Sequence, residues 1–221
     1  MNDTTAIPAT GSNVASGPSA TPSQPRAAQP APEQPAPGQK AQGQHLLVAQ
    51  ALPPVDGDPH APADLAAFKH AFRRHAAGVA GITSLRADGT PVGFTATSLA
   101  SLAAVPPLAS FNMARSASAW PAIIENDRVV IHILGVRNRA VAERLSGPFE
   151  HRFDGDHWEP GPYGLPVLKD VTSWMIGRIV ERVPVHNNAL VVVQIEEGGM
   201  GADDEALLYH ERTYRAPGRE V

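Results

Sequence analysis

The chain has 221 residues, with 22 Asp and Glu against 18 Lys and Arg, a formal charge of −4 and a pI near 6.1. Its basic residues are dispersed, which excludes a nucleic-acid or anionic-membrane surface, because those need clustered Lys and Arg. The absence of cysteine excludes a disulfide framework, a thiolate nucleophile and a Cys-based zinc site, and it fits a reducing cytoplasm.

Residues 1–60 are rich in Pro, Ala and Gln and poor in aromatic and β-branched side chains. Such a segment cannot bury enough apolar surface to offset the entropy of ordering it, so a disordered extension is expected, with polyproline-like stiffness around Pro25–Pro37. It lacks the cationic start and apolar run of a secretory signal, and no apolar stretch in the chain is long enough to cross a bilayer. His45–Val48 is a short apolar segment suited to docking. One folded domain is expected over residues 61–217.

That domain opens with a predicted helix capped at Ala63–Asp64, with Leu65, Phe68, Phe72 and His75 at helical spacing and Gly78 at its end. Strands are expected at Val79–Leu85 and Val92–Thr97, joined by an Ala87–Thr90 hairpin turn. The stretch from Pro91 to Trp120 then carries the hydroxyls of Thr95, Thr97, Ser98 and Ser101, a Pro106–Pro107 corner, a strand at Leu108–Met113, and Arg115 beside Ser116 and Ser118. Short hydroxyl side chains let a ligand approach the main chain closely, and each supplies a donor and two acceptors. This surface suits a planar polar heterocycle with a phosphorylated tail, with Arg115 as the cation. An ordinary hairpin whose hydroxyls satisfy turn backbone is the alternative.

A helix over Ser118–Glu125 is predicted, with Ser118 as its cap and Pro121 in its first turn. A strand at Arg128–Leu134 and a helix at Asn138–Leu145 follow. The loop Phe149–Pro166 holds His151, Asp154, Asp156 and His157, but neighbours two residues apart on a loop rarely converge on one ion, so no metal is expected. Long strands at Val171–Val185 and Ala189–Glu196 flank a VHNNAL turn, and Leu207–Tyr214 reads as a closing strand. No G-x-G-x-x-G follows a strand, so no Rossmann unit is present.

The ordered set Gly78-Val79, Gly93-Phe94-Thr95, Ser98, Ser101-Leu102, Pro106-Pro107 and Ser116-Ala117-Ser118-Ala119-Trp120 resembles the flavin reductase domain family. The resemblance covers roughly residues 68–216. It implies a mainly β fold, a split β-barrel with a few helices, and hydride transfer from NADH or NADPH to FMN or FAD. No protein nucleophile or general base is needed for that transfer, so no catalytic side chain is assigned. Also implied are a homodimer with the cofactor between subunits, and a partner monooxygenase supplied with diffusible reduced flavin. By the same resemblance Thr95, Ala96, Thr97 and Ser98 face the ring system. Ser101 and Asn112 belong to the flavin site, and Arg115, Ser116 and Ser118 form its phosphate end. His132 stands where many relatives carry Asn. Trp158, His186, Asn188 and Tyr209 are the candidates for the substrate side, and the VHNNAL turn departs from the Gly-Asp-His of relatives. A split-barrel oxidoreductase that keeps its flavin and acts on another small substrate, or a non-catalytic flavin-binding protein, are the other readings.

Overall fold

The computed structural model describes residues 65–218; the expected extension, its His45–Val48 segment and the Ala63–Asp64 cap lie outside them. The chain begins with α1 (Leu65–Arg74), β1 (Ala77–Gly78), β2 (Ala80–Leu85), β3 (Pro91–Ala96), β4 (Ala100–Ala104) and β5 (Pro107–Ala114). Next come α2 (Trp120–Glu125), β6 (Arg128–Ile133), α3 (Arg139–Ser146), β7 (Trp158–Pro160) and β8 (Pro166–Leu168). The long β9 (Ser173–Val185) and β10 (Asn188–Met200) follow, and the short β11 (Leu208–His210) and β12 (Thr213–Arg215) end the domain.

The main sheet is seven-stranded and antiparallel, in the order β3-β2-β6-β9-β10-β5-β4. It curls on itself: Phe94 of β3 meets Phe111 of β5 at a ring separation of 5.9 Å, joining opposite ends of the sheet across the interior. Inside lie Ile82, Val92, Phe111, Val129, Ile131, Val191 and Val193, with Ile123 of α2 closing one end. The alternation in β6 follows the pleat. Val129 and Ile131 enter this interior, while Val130 packs outside with Leu165 and Ile176 under the β7–β8 segment. Both faces of β9 are covered in places, so burial does not simply alternate along it: Ile176 and Gly177 are neighbours and both are buried. A second core forms where α3 packs through Ala142 and Leu145 on Leu134, Leu168, Val171 and Leu207.

The β2–β3 hairpin forms as its turn residues dictate, with Gly89 at φ 82 and Asp88 Oδ1 accepting from the Thr90 N–H at 2.9 Å. That bond holds the Asp88 carboxyl below its usual pKa. Several expectations are corrected. The predicted α2 cap, Ser118, lies one residue too early: Ala119 holds the cap position and makes no side-chain cap bond, while Pro121 does sit in the first turn. Arg182 closes the other end of α2, its guanidinium donating to Ile123 O and Asn126 O at 2.7 Å each. The segment Leu207–Tyr214 is two short strands folded about Glu211 and Arg212, both at positive φ. The Phe149–Pro166 loop contains β7 and packs onto β8. The β4 strand, fully on the sheet's edge, was not expected from its Ala-Ser-Leu sequence.

Candidate active site

Strand β3 ends the sheet, so among the described residues its edge away from β2 joins no ladder. Beside it the pleat sends Ala96 into the barrel interior and leaves Thr95 half-buried and Thr97 exposed. Both threonines line a cavity of about 490 Å³ against α3 and the β11–β12 hairpin. Across from them stand Tyr209 and Tyr214, their rings edge to face at 5.3 Å, and the Arg139–Glu143 pair, joined at 2.9 Å along one face of α3. Arg212 also lines the cavity. Arg139, Glu143 and Arg212 were missed by the sequence reading; an i,i+4 pair on a helix surface gives no hint of what lies opposite.

The remaining hydroxyls do not gather here. Ser98 is engaged with β5, its hydroxyl accepting from Asn112 N at 2.9 Å and donating to Asn112 O at 3.3 Å. Ser101 is exposed on the β4 edge and pairs in register with Ala109. Arg115 and Ser116 are exposed at the end of β5, where the Arg115 N–H donates to Asn187 O at 2.8 Å and its guanidinium to His186 O at 3.3 Å. His186, at φ 49, and Asn188, opposite Ala114, complete this second group at the β9–β10 turn. None of these residues lines the cavity beside β3.

Ser118 belongs to a third group. Its hydroxyl accepts from Arg152 at 3.4 Å and its carbonyl from Arg86 at 3.4 Å, and the two guanidiniums share the Phe149 ring at 4.7 and 5.9 Å. Arg152 also donates to Gly147 O at 3.0 Å and Gly93 O at 2.9 Å, tying β3, the end of α3 and the entrance of α2 together. Burial pulls the Arg152 guanidinium's pKa down, opposed by the Glu150 carboxylate.

Two candidates stand apart from this cavity. His132 is 0 % exposed, with Nδ1 3.1 Å from Gly81 O and Nε2 accepting from Leu168 N at 3.0 Å. Both nitrogens are committed, so the ring braces β6 between β2 and β8 and offers nothing to a ligand; desolvation lowers its pKa to about 4. Trp158 donates to Phe153 O at 2.9 Å and packs against the second core, so it caps that core and does not line the cavity. In the Asp-His loop, His151 Nδ1 lies 2.8 Å from Asp154 and His157 Nε2 lies 3.0 Å from Arg152 O. Among the described residues no three ligating side chains converge on a metal position.

A family model described as "Flavin reductase like domain" matches residues 72–218. An NADH:FMN oxidoreductase of Rhodococcus qingshengii is 38% identical over 155 residues, covering 68% of this chain and 80% of that protein. The crystal structure of a flavin reductase domain protein from Arthrobacter sp. FB24 is 52% identical and superposes with a TM-score of 0.68, over 71% of this chain and 98% of that one. The styrene monooxygenase flavin reductase of Pseudomonas putida S12 shares the fold at 19% identity, with a TM-score of 0.64 over 70% of this chain and 99% of that one.

Proposed function

Because the chain belongs to the flavin reductase like domain family, we propose that it is an NAD(P)H-dependent flavin reductase acting on FMN, with FAD as the other candidate flavin. The observation that carries this is the cavity beside β3, where Thr95 and Thr97 stand along an unladdered strand edge. Its volume of about 490 Å³ falls in the range of small-molecule sites, roughly 300–1,000 Å³. The fit to a flat, polar-edged ring lies in the donor set: main-chain N–H and C=O groups from the free edge of β3, and two hydroxyls too short to block approach. When bound there, the flavin supplies the electron-accepting chemistry, and the protein needs no acid, base or nucleophile.

The chain's own residues hold and orient. Ala96, anchored in the interior, fixes the pleat that presents Thr95 and Thr97. The Ser98–Asn112 bonds fix the turn that follows β3. Arg115 and Ser116, with Ser118 held by Arg86 and Arg152, are assigned to the phosphate end, and His186 and Asn188 to the nicotinamide side. Since those groups do not line the same cavity within one chain, a homodimer is proposed in which a second copy completes the site. Apolar side chains left on the surface support pairing: Leu102 is 53% exposed, Val105 92% and Ile124 53%. A monooxygenase fed by diffusible reduced flavin is the proposed partner.

The test is anaerobic stopped-flow mixing of NADH or NADPH with the protein and FMN, FAD or riboflavin. The oxidised-flavin absorbance is expected to bleach with at least one pair. Binding of flavin without bleaching by either donor refutes the assignment. Light scattering checks the dimer, and a monomer that binds flavin tightly counts against it.

A further inference from the structure

Helix α1 has an apolar stripe and buries nothing: Phe68 is 58% and Phe72 63% exposed, with their rings 4.7 Å apart. An amphipathic helix ordinarily turns such a stripe to a core. Here the stripe faces a groove of about 360 Å³ between α1 and the β11–β12 hairpin. The two elements are joined there by the Glu211 N–H donating to Arg73 O at 3.0 Å. Tyr209 and Arg212 line both this groove and the cavity beside β3, so the two spaces abut.

The groove's chemistry is aromatic on one side and cationic on the other. Phe72 meets His75 edge-on at 6.3 Å, and Tyr209 stands across from them. Lys69 and Arg73, four residues apart on α1, and Arg212 at the hairpin tip supply positive charge. None of these cations takes part in an ion pair among the described residues. Glu211 is the one carboxylate among the lining residues. The carbonyl end of α1 adds about half a negative charge, which the full charges of Lys69, Arg73 and Arg212 exceed. Glu211 and Arg212 hold φ values of 49° and 64°, a tight-turn geometry for which Asn and Gly are the usual residues.

We propose that this groove binds the adenosine diphosphate moiety of a dinucleotide whose redox-active ring occupies the adjoining cavity. The proposal rests on the flavin reductase reading above for what that cavity holds. A purine stacks on the Phe72 ring with the His75 ring at its edge, as flat heterocycles do on aromatic faces. The diphosphate lies between Arg73, Lys69 and Arg212, whose charged donors bind phosphate oxygens more strongly than neutral ones do. Both NAD(P)H and FAD carry this moiety, and the chemistry of the groove is the same for either.

The test uses the full chain and titrates ADP by calorimetry against wild type, Arg73→Ala and Phe72→Ala. Saturable ADP binding that weakens on the order of tenfold in each variant, the loss of one charge-assisted or stacking contact, is the expected result. In kinetic assays, a rise in KM for NADH relative to reduced nicotinamide mononucleotide in Arg73→Ala assigns the groove to the nicotinamide donor. A loss of FAD affinity relative to FMN assigns it to the flavin. Absence of ADP binding, or ADP binding indifferent to both substitutions, overturns the proposal even in a protein that reduces flavin. ADP binding that responds to Arg73→Ala in a protein unable to bleach flavin overturns the reductase reading and leaves the groove's assignment standing. A Phe72→Ala protein with smaller light-scattering mass and unchanged ADP binding also overturns it, giving this face to a second copy of the chain.

Discussion

Replacing His132 with Leu tests how the barrel wall is held, and its signature is a dependence on pH. In the folded protein Leu168 N donates to Nε2, so the proton sits on Nδ1 and is donated to Gly81 O. Protonating Nε2 removes that acceptor and places a charge in a fully buried site. Desolvation accordingly depresses the folded-state pKa from 6.5 to about 4. A depressed pKa contributes stability that is complete above pH 6.5 and is lost as pH falls from 6.5 toward 4, because the unfolded chain takes up the proton first. At about 1.4 kcal/mol per tenfold in proton affinity, the loss across that window is about 3 kcal/mol. In His132→Leu the buried Gly81 carbonyl and Leu168 N–H lose their partners, a cost of about 2–4 kcal/mol at pH 7.5. The variant has no imidazole to titrate, so the gap to wild type closes as pH falls and nearly vanishes by about pH 4.5. Urea unfolding of both proteins at a series of pH values from 7.5 to about 4.5 reads this directly, since titrations common to both cancel. Parallel stability curves would refute the account of His132 as a buried neutral brace.

Three further outcomes are expected. Thr97→Trp fills the cavity beside β3 and abolishes flavin binding by fluorescence quenching, while circular dichroism and melting stay near wild type because Thr97 is exposed; retained flavin affinity places the ring elsewhere. Arg182→Met removes both bonds that close the α2 C-terminus and lowers unfolding free energy by about 2–4 kcal/mol in urea titration. Gly201→Ala drives a methyl into the Val171 carbonyl oxygen and costs about 1–3 kcal/mol, seen as a lower melting temperature.

Local signals made much of this fold legible. The Asp88-Gly89 turn fixes the β2–β3 hairpin through the Asp88–Thr90 bond. The Val129-Val130-Ile131 run reads as a strand, and the structure buries it on both faces. What the chain hides is whatever depends on distant partners. The stripe on α1 has the spacing of a core helix, yet nothing in the described residues folds over it. His132 reads as a ligand contact until Gly81 and Leu168, far away in sequence, take both its nitrogens. Arg152 and Arg182 lie in segments with no motif, and each reaches carbonyls 59 residues away.

The division of the hydroxyls follows from the same physics and bears on the proposed flavin site. A strand sends alternate side chains to opposite faces, so of the run Thr95-Ala96-Thr97-Ser98 only the two threonines reach the cavity. Ser98, past the end of β3, is spent on Asn112. The shelf is therefore shorter than the motif, and side chains alone cannot match the polar edge of a tricyclic ring. Among the described residues no further strand extends the sheet beyond β3, so in the proposed site the main chain of β3 would supply the remaining contacts. Gly93 O of this strand already accepts from Arg152 at 2.9 Å, so that carbonyl is not among the groups left for a ligand.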